Sequence, residues 1–160
     1  MDTSDIPIYL VPYTLTLRAE EDICFPRYKG STFRGAFGHS FRRMACVARR
    51  GESCRECVLG RSCAYAYVFE TSAPEDAPKR LRDAPRPFVI EADPELKERY
   101  GPGEEFRVNL VLIGRAIDFL PYFLFAFQQM GEYGIGRGRG KFGLMKAESG
   151  GEVVYDSLEN

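Results

Sequence analysis

The chain has 160 residues, 44% of them hydrophobic, and a formal net charge of −1, which suits one globular domain with its own core and excludes a collagen-like class. No apolar run approaches the roughly 20 residues that a membrane span needs, and the acidic start of the chain lacks the basic region of a secretory signal. We therefore predict a cytoplasmic protein with no membrane partner.

The first elements are a strand and a helix. Tyr9–Arg18 alternates apolar and polar residues, which predicts a strand. Ser31 is a suitable cap for a helix from Thr32 to about Arg50, where phenylalanines recur at three- and four-residue spacing and form one apolar stripe. After a segment with four cysteines, the aromatic and β-branched composition of Tyr65–Glu70 predicts a short strand.

The second half of the chain predicts strands, one helix and a closing strand. The stretch 71–85 is rich in proline and charge and poor in apolar residues, which is typical of a flexible surface loop. Strand character resumes at Arg86–Glu91 and Phe106–Gly114. Ala116–Met130 is apolar enough for a deeply buried helix, and Phe142–Ala147 predicts the closing strand.

These elements lead to a fold prediction. Their order, β, α, β, β, α, β, is the split βαβ arrangement of an α+β, ferredoxin-like (RRM-like) domain. We place this domain at residues 1–148, with 46–63 as an inserted four-cysteine metal knuckle and 71–85 as the flexible loop. Residues 149–160 are then a tail or the start of a second domain, because Glu152–Tyr155 has the composition of a further strand.

Charge is distributed unevenly. Seven arginines oppose two glutamates in residues 31–63, and four Lys or Arg oppose one glutamate in 131–146. The acidic residues are concentrated in 70–105, where ten Asp or Glu oppose six Lys or Arg. Either basic run alone is equally consistent with a solvated surface, but both coincide with unusual motifs. This coincidence favours a polyanionic partner in spite of the net charge.

Four of the five cysteines are closely spaced, as Cys46-x7-Cys54-x2-Cys57-x5-Cys63. A pair two residues apart, flanked by two more cysteines, matches the spacing of structural zinc sites, in which four thiolates surround the metal as a tetrahedron. An iron–sulfur cluster is the alternative metal group, and free buried thiols are the alternative without a metal. A cytoplasmic location and the odd number of cysteines argue against disulfides, and Cys24 is interpreted as a small core residue.

Glycine and basic residues alternate near the end of the chain. Glycine at this density allows backbone N–H groups to turn toward one point, and the cations add charge, so the segment predicts a loop that binds phosphates. The alternative is a loose connection between helix and strand, which needs only one or two glycines. The candidate RNA-binding residues of the loop are Gly134, Gly136, Arg137, Gly138, Arg139, Gly140 and Lys141.

His39 is the only histidine, so any imidazole general base must be this residue. The helical pattern places it on the polar face of the first helix with Arg42 and Arg43. A solvated side chain, or one that only contacts RNA, is the alternative interpretation.

The motifs taken together resemble the CRISPR precursor-RNA-processing endoribonucleases of the RAMP superfamily. The resemblance extends over most of the chain, and the order of the motifs and the glycine-rich segment carry it. The segments concerned are Gly30–Gly38, the cysteines leading into Cys63–Tyr65 and Phe69–Glu70, Pro85–Phe88, Leu112–Gly114 and Met130–Gly136.

This resemblance implies a domain that binds CRISPR repeat RNA or crRNA and cleaves it without a metal, by attack of a 2′-hydroxyl that leaves a 2′,3′-cyclic phosphate. It further implies that His39 is the general base, that Arg42 and Arg43 stabilise the developing charge, and that Arg34 contacts RNA. Family members generally contain two such domains, and some relatives bind guide RNA without cutting it. A non-catalytic crRNA-binding subunit beside other CRISPR effector subunits, or a zinc-stabilised protein-interaction module, therefore remain as alternatives.

Overall fold

A computed structural model describes residues 7–48, 53–54, 56–70, 85–94 and 97–159. Short 3-10 helices occur at Gly60–Ser62 and Gly114–Phe119. The helices are α1 (Gly30–Ala45), α2 (Ala64–Phe69) and α3 (Leu120–Tyr133). The strands are β1 (Leu10–Ala19), β2 (Ile23–Cys24), β3 (Phe88–Ala92), β4 (Arg99–Tyr100), β5 (Glu105–Ile113), β6 (Phe142–Ser149) and β7 (Glu152–Asp156).

The main sheet is antiparallel, with the strand order β3-β5-β1-β6-β7. Strand β1 is central and pairs with β5, with Leu15 opposite Val108, and with β6 on its other side. Two long helices interrupt the strands as predicted, so the mixed α+β architecture is compatible with a ferredoxin-like fold. Strands β2 and β4 form a separate two-stranded sheet.

Side-chain alternation along the strands defines the core. Leu15 and Leu17 of β1 and Val108 and Leu110 of β5 are fully buried and lie on one face of the sheet. Helices α1 and α3 cover this face with phenylalanine side chains. The ring of Phe37 is central, because it packs against five other phenylalanine rings: Phe41, Phe69, Phe88, Phe123 and Phe127.

The predicted strand at Tyr65–Glu70 is wrong, because this segment is helix α2. Its aromatic composition suits a strand or a buried helix, and tertiary packing decides between them. In the helix Tyr65 and Phe69 are one turn apart, and their rings stack at 5.2 Å. Phe69 also packs on Phe41 of α1, with ring centroids 5.4 Å apart, so the helical form buries both rings of the pair against the core.

The boundaries of α1 also differ from the prediction. The helix begins at Gly30, with Lys29 rather than Ser31 at the cap position and no side-chain capping bond. It ends at Ala45, because Cys46 is extended, with φ −90° and ψ 117°. The predicted end near Arg50 is therefore wrong, because residues 46–48 are not helical; residues 49–52 lie outside the described part of the chain.

The further strand expected near the end of the chain is confirmed as β7, which pairs with β6. The predicted loop 71–85 lies outside the described residues except for Pro85. The division of the chain into a domain at residues 1–148 and a tail or second domain at 149–160 stays a prediction. None of the helices within the described ranges is long and apolar enough to cross a membrane.

Candidate nucleic-acid interface

The glycine-rich segment between α3 and β6, residues 134–141, forms a tight turn, which we call the glycine hairpin. The Ile135 N–H donates to the Gly140 carbonyl at 2.9 Å, and the Arg139 N–H donates to the Gly136 carbonyl at 3.3 Å. Ile135 is buried and anchors the hairpin. Arg137, Gly138 and Arg139 are exposed at its tip. The segment is therefore held by its own hydrogen bonds and by a buried side chain.

Close backbone contacts explain most of the glycines. A Cβ atom at Gly131, Gly134, Gly136 or Gly140 would collide with a backbone carbonyl of another residue, whereas a Cβ at Gly138 would meet no atom. Gly134 has φ 79° and ψ 158°, a conformation that essentially only glycine adopts. Gly134 lets the hairpin close on itself, and Gly136 and Gly140 let it approach β2 and the residue before β2. Gly131 lets α3 approach β6.

The hairpin is fixed to the segment that connects β1 and β2. The Arg137 N–H donates to the Cys24 carbonyl at 2.7 Å, and the Glu20 N–H donates to the Lys141 carbonyl at 2.9 Å. The Lys141 N–H donates to a carboxylate oxygen of Glu21 at 3.2 Å. The N–H groups of Arg137 and Lys141 are thus engaged within the protein and are not free to bind a phosphate.

The three cations of the segment are available for such binding. Arg137, Arg139 and Lys141 are all exposed, and the ion pairs found within the described ranges involve none of them. Arg139 has φ 55°, an uncommon left-handed conformation for a residue with a side chain, which costs about 1 kcal/mol. The hairpin therefore holds neighbouring unpaired charges on a fixed backbone.

The polar face of α1 carries His39, Arg42 and Arg43, all exposed. The Arg43 guanidinium lies 4.6 Å from the centre of the Tyr133 ring, at the last residue of α3 and next to the hairpin. The Arg42 guanidinium lies 5.7 Å from the Tyr65 ring of α2 instead. Because successive residues turn by about 100° around a helix, His39 lies between the two arginines on the exposed arc. The structure thus brings Arg43 to the base of the hairpin and turns Arg42 toward α2.

Two further residues lie in this part of the molecule: Tyr133, an aromatic candidate for base stacking that the sequence alone does not separate from the core, and Arg86, which the sequence does not predict as a site residue. Tyr133 holds Arg43 beside the hairpin, and Arg86 lines a cleft together with the predicted site residue Arg34. The position of Tyr133 directly before Gly134 was a usable signal for the first. Arg86 and Arg34 line the same cleft although they lie far apart in the chain, and no local pattern indicates that they are close.

The face of the main sheet that the described helices leave uncovered carries polar side chains at its centre. Strand alternation places Thr14 and Thr16 of β1 and Arg107 and Asn109 of β5 on this face, and Thr14 donates to Asn109 at 3.3 Å. No aromatic side chain of the described strands points to it. The stacking platform of RRM domains is therefore missing from the described strands.

The four clustered cysteines lie between α1 and α2 and form no disulfide. Cys46 follows the last residue of α1, and Cys63 precedes α2, with its Sγ atom 3.9 Å from the Ala45 carbonyl. Cys54 and Cys57 lie in successive turns, which are closed by hydrogen bonds from Glu56 to Ser53 and from Gly60 to Cys57. The ends of the cysteine segment therefore meet beside the end of α1.

The four thiols also lie close enough to influence one another electrostatically. Burial raises the pKa of the Cys54 thiol, and the negative charges of Glu70 and of the other three thiolates raise this pKa further. Within the described ranges, no three His, Cys, Asp or Glu side chains are arranged as a metal site. The metal knuckle is thus not shown, and the zinc assignment stays a prediction.

Comparisons with known proteins give the family and the fold. A family model described as AF_1859_N, N-terminal domain, matches residues 7–159. No curated protein matches the sequence. A chain in the crystal structure of the Csm3–Csm4 subcomplex of the type III-A CRISPR–Cas interference complex is similar in fold, with a TM-score of 0.55 and 16% identity over 86% of this chain and 76% of that one. The family match extends over nearly the whole sequence, so the chain belongs to the AF_1859_N family, which is described as an N-terminal domain.

Proposed function

We propose that this chain is a RAMP-type, CRISPR-related protein that binds RNA through the glycine hairpin. The observation that carries the proposal is the exposed set of Arg137, Arg139 and Lys141, which form no ion pair within the described ranges and lie on a backbone pinned to Cys24 and Glu20. Because this backbone is already fixed, mainly side-chain freedom is lost when the cations bind a phosphate backbone. The fold likeness to a component of a type III-A complex supports crRNA or repeat RNA as the ligand and other CRISPR subunits as partners.

Neutralising the hairpin tip tests this proposal. We expect Arg137→Gln/Arg139→Gln to weaken binding of CRISPR-repeat RNA at least about tenfold. The slope of the logarithm of the affinity against the logarithm of the salt concentration should become less steep by about 1.4, since each lost phosphate contact on a single strand removes about 0.7 from this slope. Fluorescence anisotropy at about 50 to 200 mM salt measures both quantities. The hairpin backbone stays intact in this variant, because its hydrogen bonds are made by main-chain atoms.

A matched control removes the same charge elsewhere. Arg18→Gln/Arg107→Gln changes two exposed arginines on the uncovered face of the sheet, one of them in an exposed ion pair with Glu105 at 2.7 Å. It should leave the affinity within about twofold, because scattered surface charge contributes little. Equal losses in both double variants would contradict a hairpin site. Absence of RNA binding by the unaltered protein would favour the protein-interaction module.

We further propose that the chain cleaves precursor crRNA, with His39 as general base. The imidazole takes the proton of a 2′-hydroxyl, and the 2′-oxygen bonds to the adjacent phosphorus. The bond to the 5′-oxygen breaks, and this oxygen takes a proton from water, which leaves a 2′,3′-cyclic phosphate and a 5′-hydroxyl. Arg42 and Arg43 flank His39 and would stabilise the charge on the phosphorane. This reaction needs no metal.

His39→Ala should reduce the cleavage rate by about 10²- to 10⁴-fold and change the RNA affinity by less than about threefold. The reaction is run in EDTA, and cleavage is read on denaturing gels. Arg107→Gln serves as the control and is expected to keep the cleavage rate of the unaltered protein. Cleavage that survives loss of the only imidazole would exclude His39 as the base. RNA that stays intact in the presence of the unaltered protein would support the alternative of a non-catalytic crRNA-binding subunit.

The proposed cofactor is one structural zinc ion held by Cys46, Cys54, Cys57 and Cys63. Their spacing, their free thiols and the contact of Cys63 with the end of α1 support it. We expect about one zinc per chain by mass spectrometry of metals, loss of the zinc in Cys54→Ser, and retention in Cys24→Ser. Iron with visible absorbance would instead identify an iron–sulfur cluster, and absence of any metal would overturn the assignment.

A further inference from the structure

A second cationic site lies outside the glycine hairpin. A cleft of about 450 Å³ opens between the start of α1 and strand β3. Its polar lining comes from Tyr28, Ser31, Arg34 and Arg86, and its apolar wall is formed by β3, the edge strand of the main sheet. Arg34 and Arg86 are both exposed, so their guanidinium groups are accessible to a ligand.

Aromatic stacking holds Arg86 in place. Its guanidinium lies 5.5 Å from the centre of the Phe69 ring. The Phe69 ring packs on Gly38 of α1, where an added Cβ atom would lie 3.4 Å from the ring, and it stacks on Tyr65 at 5.2 Å. Arg42 covers the other member of this stack, Tyr65. A guanidinium held near a ring by cation–π attraction keeps N–H groups free for a phosphate.

The spacing on α1 gathers these charges. Arg34, Gly38 and Arg42 succeed one another at four-residue intervals, so both arginines lie on the side of α1 that meets Phe69 and Arg86. No ion pair within the described ranges neutralises any of the three arginines. Like charges held near one another repel, and a bound anion relieves that repulsion.

The first turn of α1 adds to the same preference. It contains no acidic residue, and no side chain caps it, so its free N–H groups and the positive end of the helix dipole favour an anion beside Ser31. The apolar wall of the cleft includes Val89, which is 42% exposed and suits the sugar or base of a nucleotide. A nucleotide unit of a polyanionic chain thus fits both the charge and the surface of the cleft.

We propose that this arginine cleft binds the backbone of the RNA at a second point, so that the chain holds a longer strand than the hairpin alone contacts. The inference rests on the proposed RNA-binding function. It predicts that loss of the cleft weakens binding only of an RNA long enough to reach both sites. A short RNA that occupies the hairpin alone gains nothing from the cleft.

The test compares single-stranded RNAs of about 8 and about 24 nucleotides, within and beyond the size of one usual binding site. Arg34→Gln/Arg86→Gln should weaken binding of the longer RNA at least about tenfold, lower its salt slope by about 1.4, and change binding of the shorter RNA by less than about twofold. Arg137→Gln/Arg139→Gln should weaken binding of both. Urea unfolding of each variant verifies that the fold is kept.

The outcomes separate the two proposals. Wild-type binding of the longer RNA by Arg34→Gln/Arg86→Gln, together with loss in the hairpin variant, would overturn the cleft proposal and leave the hairpin proposal standing. Failure of the unaltered protein to bind either RNA would overturn both. Arg34→Lys/Arg86→Lys should recover part of the affinity for the longer RNA, because the charge returns without the planar group that stacks on Phe69.

Discussion

Replacing Gly134 with alanine is expected to lower the free energy of unfolding by about 3 kcal/mol or more and to abolish tight RNA binding. The backbone at Gly134 has φ 79° and ψ 158°, and a Cβ there would collide with the Arg139 carbonyl. The hairpin must open to relieve this collision. Arg137 and Arg139 then lose their fixed positions, so stability and RNA affinity should fall together.

Gly138→Ala is the matched control. Gly138 also has a positive φ, 84°, but no atom lies within 4 Å of an added Cβ. Only the backbone strain remains, so we expect a loss of about 1 kcal/mol and RNA affinity within about threefold of the unaltered protein. Urea unfolding and fluorescence anisotropy measure the two effects. Equal destabilisation at both glycines would show that conformation rather than close packing requires glycine in this hairpin.

Phe37→Ala should have the largest effect on stability, about 3–5 kcal/mol. Phe37 is fully buried, and its ring lies 5.4 Å from that of Phe123 and 5.1 Å from that of Phe127. Removing the ring leaves a cavity where α1, α3 and β3 meet, and the loss is a large part of the 5–15 kcal/mol typical of a whole domain. The urea midpoint should fall accordingly.

Phe125 on the same helix as Phe123 provides the comparison. Its side chain is 47% exposed, so Phe125→Ala should change the free energy of unfolding by no more than about 0.5 kcal/mol. A small effect of Phe37→Ala would mean that the aromatic cluster rearranges to fill the cavity. It would then be wrong to treat Phe37 as the centre of the core.

Local sequence patterns determined the elements that a single periodicity defines. The alternation in β1, the phenylalanine stripe of α1 and the long apolar run of α3 each appear within one segment, and burial of one face is enough to select strand or helix. Strand β7 was predicted from its β-branched and aromatic composition instead, and none of its residues is buried. The high glycine content between α3 and β6 likewise marked the hairpin, and the arginines within it marked the candidate site.

The tertiary structure decided what depends on neighbours distant in the chain. Segment 64–69 is a helix because Tyr65 and Phe69 stack on each other and pack against α1, and aromatic composition alone suits a strand equally well. Gly131, Gly136 and Gly140 are required by carbonyls of other segments. Arg42 and Arg43 are adjacent in sequence, yet their partners lie on different helices. The local sequence specifies the period and charge of each segment, whereas strand pairing and helix packing determine which charges end up together.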